Sequence, residues 1–150
     1  MMKLVLLSLL LISSFCFGQV DQLNTLVDNW HLAAANADLQ KYSQVMSDKF
    51  VFLGTAPGER WNKKAFLDFS KPYFDKGKAW DFKPSNRIWE FNTDSTFAWF
   101  DENLDTWMRG CRGSGILQKE NNVWKISYYN LTVLIENEKI GPFIHLRDQK

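Results

Sequence analysis

The sequence predicts an α+β domain, with helices packed on one side of a curved antiparallel sheet. Apolar residues recur at helical spacing through the first part of the chain, and from Trp80 onward the pattern changes to two-residue alternation broken by turn chemistry. Size agrees: 150 residues less an 18-residue leader leave 132, the length of one domain over 19–150.

Residues 1–18 read as a secretory signal peptide. Met1-Met2-Lys3 is a short basic start, 4–12 an apolar run too short to cross a bilayer, and 13–18 a small and aromatic close. Cleavage after Gly18 puts Cys16 at the −3 position. Cys16 also raises a lipoprotein signal, against which Ser13-Ser14-Phe15 argue, because such a signal wants an aliphatic residue at −3 and a small one before the cysteine. The expectation is therefore export to the periplasm or beyond, with no membrane attachment once the leader is gone. Without Lys3 the basic count falls from 18 to 17, against 17 acidic residues. That balance offers nothing to nucleic acid or an anionic membrane. Of two cysteines only Cys111 stays, so no intramolecular disulfide can form. Stability must come from packing, and seven Trp and twelve Phe make for an aromatic core. Aromatic residues also wall pockets.

Leu23, Leu26, Val27, Trp30 and Ala34 predict an amphipathic helix over 20–35. Asn36 or Asp38 can cap a second, with Leu39, Tyr42, Val45 and Met46 on its apolar face. Residues 50–53 (FVFL) read as a short buried strand and 54–60 as a Gly/Pro loop. Asn62 caps a third helix carrying Ala65, Phe66 and Phe69; Pro72 interrupts it or starts a new turn, and Gly77 ends the segment. Strands follow at 80–83, 87–92, 97–107, 111–119 and 123–135. Pro84-Ser85, 92–95, 108–110 and 120–122 are the turns between them. Beyond Ile140, Phe143, Ile144 and Leu146 could dock on the body. Within CRGSGILQKENNVWKISYYNLTV, alternation groups Arg112, Ser114 and Ile116, and on the next strand Trp124, Ile126, Tyr128, Asn130 and Thr132. If those faces coincide, a guanidinium, a phenol and an amide project into one aromatic-walled concavity.

This order of elements, with the segments FVFLGT, GERWNKKAF, AWFDENLD, RGSGIL and WKISYYNLTV, resembles the SnoaL-like branch of the NTF2-like superfamily over residues 23–135. The resemblance implies a cone-shaped barrel, three N-terminal helices packed on a curved antiparallel sheet, with a conical pocket on its concave face. It also implies a homodimer through the opposite face, and Arg112 turned into the cavity. Related members include isomerases, cyclases, dehydratases, non-catalytic ligand binders and assembly domains, so the fold alone does not assign a function. Isomerase-type members carry a carboxylate at the end of the first strand, where this chain has Phe52 and Leu53. Related sequences often place a histidine near Tyr128-Tyr129-Asn130.

Arg112 is the expected anchor for a carboxylate or similar anion. Its alternative is an internal salt bridge to Asp101 or Asp105. Tyr128 and Asn130 can orient a polar ligand, or simply hydrogen-bond at the barrel mouth. On the strand FAWFDENLDTW, Asp101 or Glu102 is the acid/base candidate, depending on which face is concave; a solvated strand end is the plainer reading. Trp30, Phe52, Phe66, Trp89 and Trp99 can wall the pocket or fill the core. His31 and His145 read as surface or boundary residues, with no metal-ligand spacing between them and the remaining Cys or carboxylates. No Gly-rich phosphate loop or other cofactor motif is present. These residues suggest a small-molecule binder, or else a cofactor-independent cyclase, isomerase or dehydratase, or an assembly module.

Overall fold

The computed structural model describes residues 2–149, with side chains from 18 onward. Of the expected leader at 1–18, residues 1–17, Cys16 included, fall outside those whose side chains are described. Helix α1 (Met2–Ala35) presents an apolar stripe, Leu23, Val27, Trp30 and Ala34, all buried. Asn24, Asp28 and His31 form a second stripe at i, i+4 and i+7 beside it. Ala37, at φ 53, turns the chain into α2 (Leu39–Gln44). Asp38 is the cap, its carboxylate accepting the Lys41 N–H at 3.0 Å.

After β1 (Met46–Leu53) and a short β2 (Arg60–Asn62), Asn62 accepts the Ala65 N–H at 2.9 Å and opens α3 (Lys63–Asp75). This helix continues through Pro72 rather than breaking there, and Gly77, at φ 71, follows its end. Then come β3 (Lys83–Phe91), β4 (Phe97–Thr106), β5 (Arg109–Glu120) and β6 (Val123–Val133). One six-stranded sheet has the order β2-β1-β6-β5-β4-β3; β1 lies parallel to β6 and every other pair is antiparallel. Asn121 and Asn122, both at positive φ, make the two-residue turn between β5 and β6.

The architecture is the α+β one expected, with differences of detail: the sheet is mixed rather than wholly antiparallel, α2 stops at Gln44 so that Met46 opens β1 instead of lying on the helix, and β2 begins at Arg60 where a loop was expected. A further helix, α4 (Ile140–Asp148), follows a 3-10 turn at the C-terminus, and Ile144 and Leu146 on it stay exposed rather than docked. Residues 80–82 are not a strand: Trp80 turns inward, donating from Nε1 to Tyr42 Oη at 3.3 Å. Pro84-Ser85 lies inside β3, not in a turn. That strand is the sheet's edge, where a proline's missing N–H deprives no neighbour.

Two bulges decide which side chains face the helices. On β3, Ser85 pairs with Asn103 and Ile88 with Asp101, so Asn86 and Arg87 together oppose Glu102. Asn86 takes φ 51 to make the extra residue fit. On β6, Leu117 pairs with Ile126 and Ile116 with Tyr128, leaving Ser127 as the extra residue. Trp124 and Ile126 are buried before the bulge, and Tyr129 and Leu131 after it.

The inward glycines of β5 serve these rings. A Cβ at Gly113 would lie 2.1 Å from Tyr129 Oη, and one at Gly115 would lie 2.3 Å from Phe100 Cε1. Tyr129 is buried and cannot swing away, so Gly113→Ala should destabilise the fold by about 1–3 kcal/mol in urea unfolding. Gly110→Ala, whose Cβ meets nothing within 4 Å, should change stability by less than about 0.5 kcal/mol. Equal effects from the two would refute the close-approach account.

Candidate functional site

Between the helices and the concave face of the sheet lies a cavity of about 210 Å³. Its walls are stacked rings: Phe52 on Phe66 with centroids 4.1 Å apart, Trp30 on Tyr42 at 4.9 Å, and Trp61 on Phe69 at 4.7 Å. Trp80, Phe82 and Leu131 continue the wall, and exposed Thr55 and Trp107 (82% exposed) mark its open end. Polar side chains on the lining include His31 and Tyr129, which meet behind it at one buried carboxylate.

That carboxylate is Glu102, 0% exposed on β4. Its Oε1 accepts from His31 Nε2 at 2.8 Å and from Tyr129 Oη at 2.9 Å. Its Oε2 accepts from Arg87 Nε at 2.9 Å and Nη2 at 2.7 Å. Arg87 continues to Asp28 Oδ1 at 2.8 Å and to the side chain and carbonyl of Asn24, and it lies over the Phe100 ring. Trp89 Nε1 donates to the same Asn24 amide oxygen at 2.8 Å. The polar stripe of α1 is thereby bonded to β3 and β4, and through Glu102 to β6.

Burial pushes the Glu102 carboxyl up. Hydrogen bonds and charge from His31 and Arg87 outweigh it and hold the group below the usual carboxylate range. Burial, then the charge of Glu102, raises the Tyr129 phenol well above its ordinary value, so it stays protonated and donates. An ionised carboxylate only accepts, so His31 carries its proton on Nε2. In neutral His31 the lone pair is then on Nδ1, which has no hydrogen-bond partner among the described residues. Glu102, with four donors on it, is poorly placed to transfer protons itself; it orients His31, which can. Trp30 Nε1 is buried with no partner among the described residues, leaving a spare donor on a residue of the cavity wall.

Of the residues singled out from sequence, Trp30, Phe52, Phe66 and His31 line the cavity, Glu102 lies directly behind it, and Trp89 packs inward on Phe100 beyond the cavity wall. The remaining polar candidates and Trp99 face away. Arg112 is on the outer surface opposite Asn103 and Thr132, and makes no ion pair with Asp101 or Asp105 among the described residues. Asp101 and Trp99 are on that outer face too, because β4 turns Ala98, Phe100, Glu102 and Leu104 inward. Tyr128 and Asn130 face outward because the Ser127 bulge shifts the alternation and brings Tyr129 in instead. Arg87 was not foreseen, since nothing in the sequence marks the bulge that aims it. His31 is 5% exposed rather than a boundary residue, and its signal was the helical spacing to Asn24 and Asp28. No group of three or more His, Cys, Asp or Glu among the described residues could hold a metal ion.

A mixed sheet curled around helices, with an aromatic cavity open at one end on its concave side, defines an NTF2-like domain. The chain belongs to the SnoaL-like domain family, which matches residues 23–136. Solved structures share the fold. An NTF2-like protein from Cytophaga hutchinsonii is 17% identical, with 77% of this chain and 98% of that one covered at a TM-score of 0.65. One of unknown function from Pseudomonas putida KT2440 is 11% identical, covering 79% and 89% at 0.65. A protein of unknown function from Mycobacterium tuberculosis is 11% identical, covering 85% and 79% at 0.69. Among curated proteins none matches the chain.

Glu102→Gln should cost about 1.5–3 kcal/mol at neutral pH, because it takes the charge from the acceptor of two Arg87 hydrogen bonds and leaves that buried guanidinium with only the half-exposed Asp28 as counter-charge. The folded carboxyl titrates below its unfolded value of 4.5, so the unfolded chain takes up the proton first. Stability from this group is thus full above that value and drains away as pH falls through the lower, folded one. Urea unfolding between pH 7 and pH 3 should show a shallower acid loss in the variant than in the wild type. An unchanged slope would mean that Glu102 is not ionised in the fold.

Proposed function

We propose that this SnoaL-like domain is an exported binder of a small, largely apolar molecule whose polar end meets His31 and Tyr129. The supporting observation is a ring-walled cavity whose two inner polar side chains are held in place by one buried carboxylate. Groups already fixed lose little freedom when a ligand arrives. At about 210 Å³ the space is below the roughly 300–1,000 Å³ of drug-sized sites, so the occupant is compact.

A second reading, a cofactor-independent enzyme, is favoured by one contact: Glu102 at 2.8 Å from His31 Nε2. A carboxylate that fixes the tautomer of an imidazole makes its other nitrogen a general base. His31 would abstract a proton from the bound molecule and return it, as an isomerisation or dehydration requires.

A thermal-shift screen of compact metabolites tests both. A ligand at 100 times its Kd should stabilise the protein by about 2.7 kcal/mol. His31→Gln should weaken that ligand about tenfold through loss of a hydrogen bond, whereas Arg112→Ala, on the outer face, should leave it unchanged. Dependence on Arg112 and not His31 would overturn the binding reading. Exchange of a ligand C–H in deuterium oxide, abolished by His31→Gln, would establish the enzyme; no exchange leaves a binder.

The homodimer is proposed on the sheet's outer face. Trp99, Ile116 and Tyr128 make a row across β4, β5 and β6, with Ile88 and Phe97 exposed nearby. Arg112 shares that face with Asp101 and Asp105, so two copies can pair opposite charges while covering the row. Trp99→Glu should shift the protein from dimer to monomer in light scattering without loss of fold. A wild-type monomer at all concentrations would eliminate this interface.

A further inference from the structure

We infer that the cavity selects a small organic cation, an amine or quaternary ammonium, over neutral and anionic molecules. This rests on the binding reading above and names the class of ligand. The first observation is the wall: the rings of Phe52, Trp61, Phe66 and Trp80 line one small space, with Trp107 at its open end. Ring faces carry negative potential, and a cage of them is suited to a desolvated cation.

The second observation is charge. Among the described residues no lysine or arginine lines the cavity, whereas Glu59 does. Glu59 sits two residues before Trp61, and its Oε2 accepts the Ala56 N–H at 2.9 Å, which holds the carboxylate in the loop at the cavity's edge. It makes no ion pair among the described residues. At the inner end, Arg87 lies behind Glu102 and is shared with Asp28, one guanidinium against two carboxylates, so that cluster is negative when His31 is neutral. An anion would meet no fixed positive charge at the wall, and Arg112, the one arginine expected there, faces the other way. A cation would find rings around it and a carboxylate toward each end.

Three branched probes of similar size separate the possibilities: choline, its neutral isostere 3,3-dimethylbutan-1-ol, and the anion isovalerate. Each is titrated by calorimetry and by the tryptophan emission of the full chain. Choline should bind roughly tenfold tighter than the neutral isostere, with isovalerate weakest. Glu59→Gln keeps the acceptor for the Ala56 N–H but removes the charge, and should shrink the advantage of choline over its isostere several-fold. Equal or tighter binding of the neutral isostere overturns the cation preference while the cavity stands as a binding site. A preference for isovalerate overturns it as well. If none of the three binds while the metabolite screen gives other ligands, the cation inference fails alone; if that screen is also empty, the binding reading fails with it.

Discussion

One fully buried carboxylate constrains this structure. Glu102 sits at 0% exposure on the middle of β4, and an unpaired charge there would cost several kcal/mol or force the group to neutralise. It is kept ionised by four hydrogen bonds from three elements: His31 on α1, Arg87 on β3 and Tyr129 on β6. Such a cluster adds less net stability than its strong contacts suggest, because each group was well solvated before folding. Its effect is on specificity. Any shift of α1 along the sheet, or any slip of β3 or β6 by one residue, strands a charge.

Several local oddities have this common cause. The β3 bulge, with Asn86 at φ 51, brings Arg87 opposite Glu102. The Ser127 bulge on β6 does the same for Tyr129. Gly113, directly opposite Glu102 on β5, has no side chain because the Tyr129 hydroxyl occupies the space where one would be. Each departs from regular strand geometry or packing, and each supplies a partner to the same two oxygens.

This also explains what could be read from the sequence. Helical periodicity located the buried stripe of α1, Asn62 the start of α3, and alternation the inward and outward sets of β4. Those signals are local. The faces of β5 and β6 are not, because side chains repeat every two residues and a single inserted residue exchanges the sides. Alternation carried past Ser127 puts Tyr128 in the cavity where Tyr129 belongs. Arg112 drew attention as the large polar residue of β5, yet the inward positions are the glycines, whose space is filled by rings from neighbouring strands. A residue with no side chain gives no sign of what lies over it.

The saturation of Glu102 bears on what the cavity can do. With all four donors in place, this carboxylate has little capacity left for a ligand or a reacting proton, although it is the group a carboxylate-based mechanism would single out. The groups with capacity to spare are His31, whose Nδ1 is unengaged among the described residues, the Trp30 Nε1 donor, and the faces of the rings. On the proposed reading, recognition falls to the rings, His31 and the edge carboxylate of Glu59, and any proton movement to the imidazole. In the proposed binder His31 thus serves both recognition and any chemistry, and the buried network fixes its position.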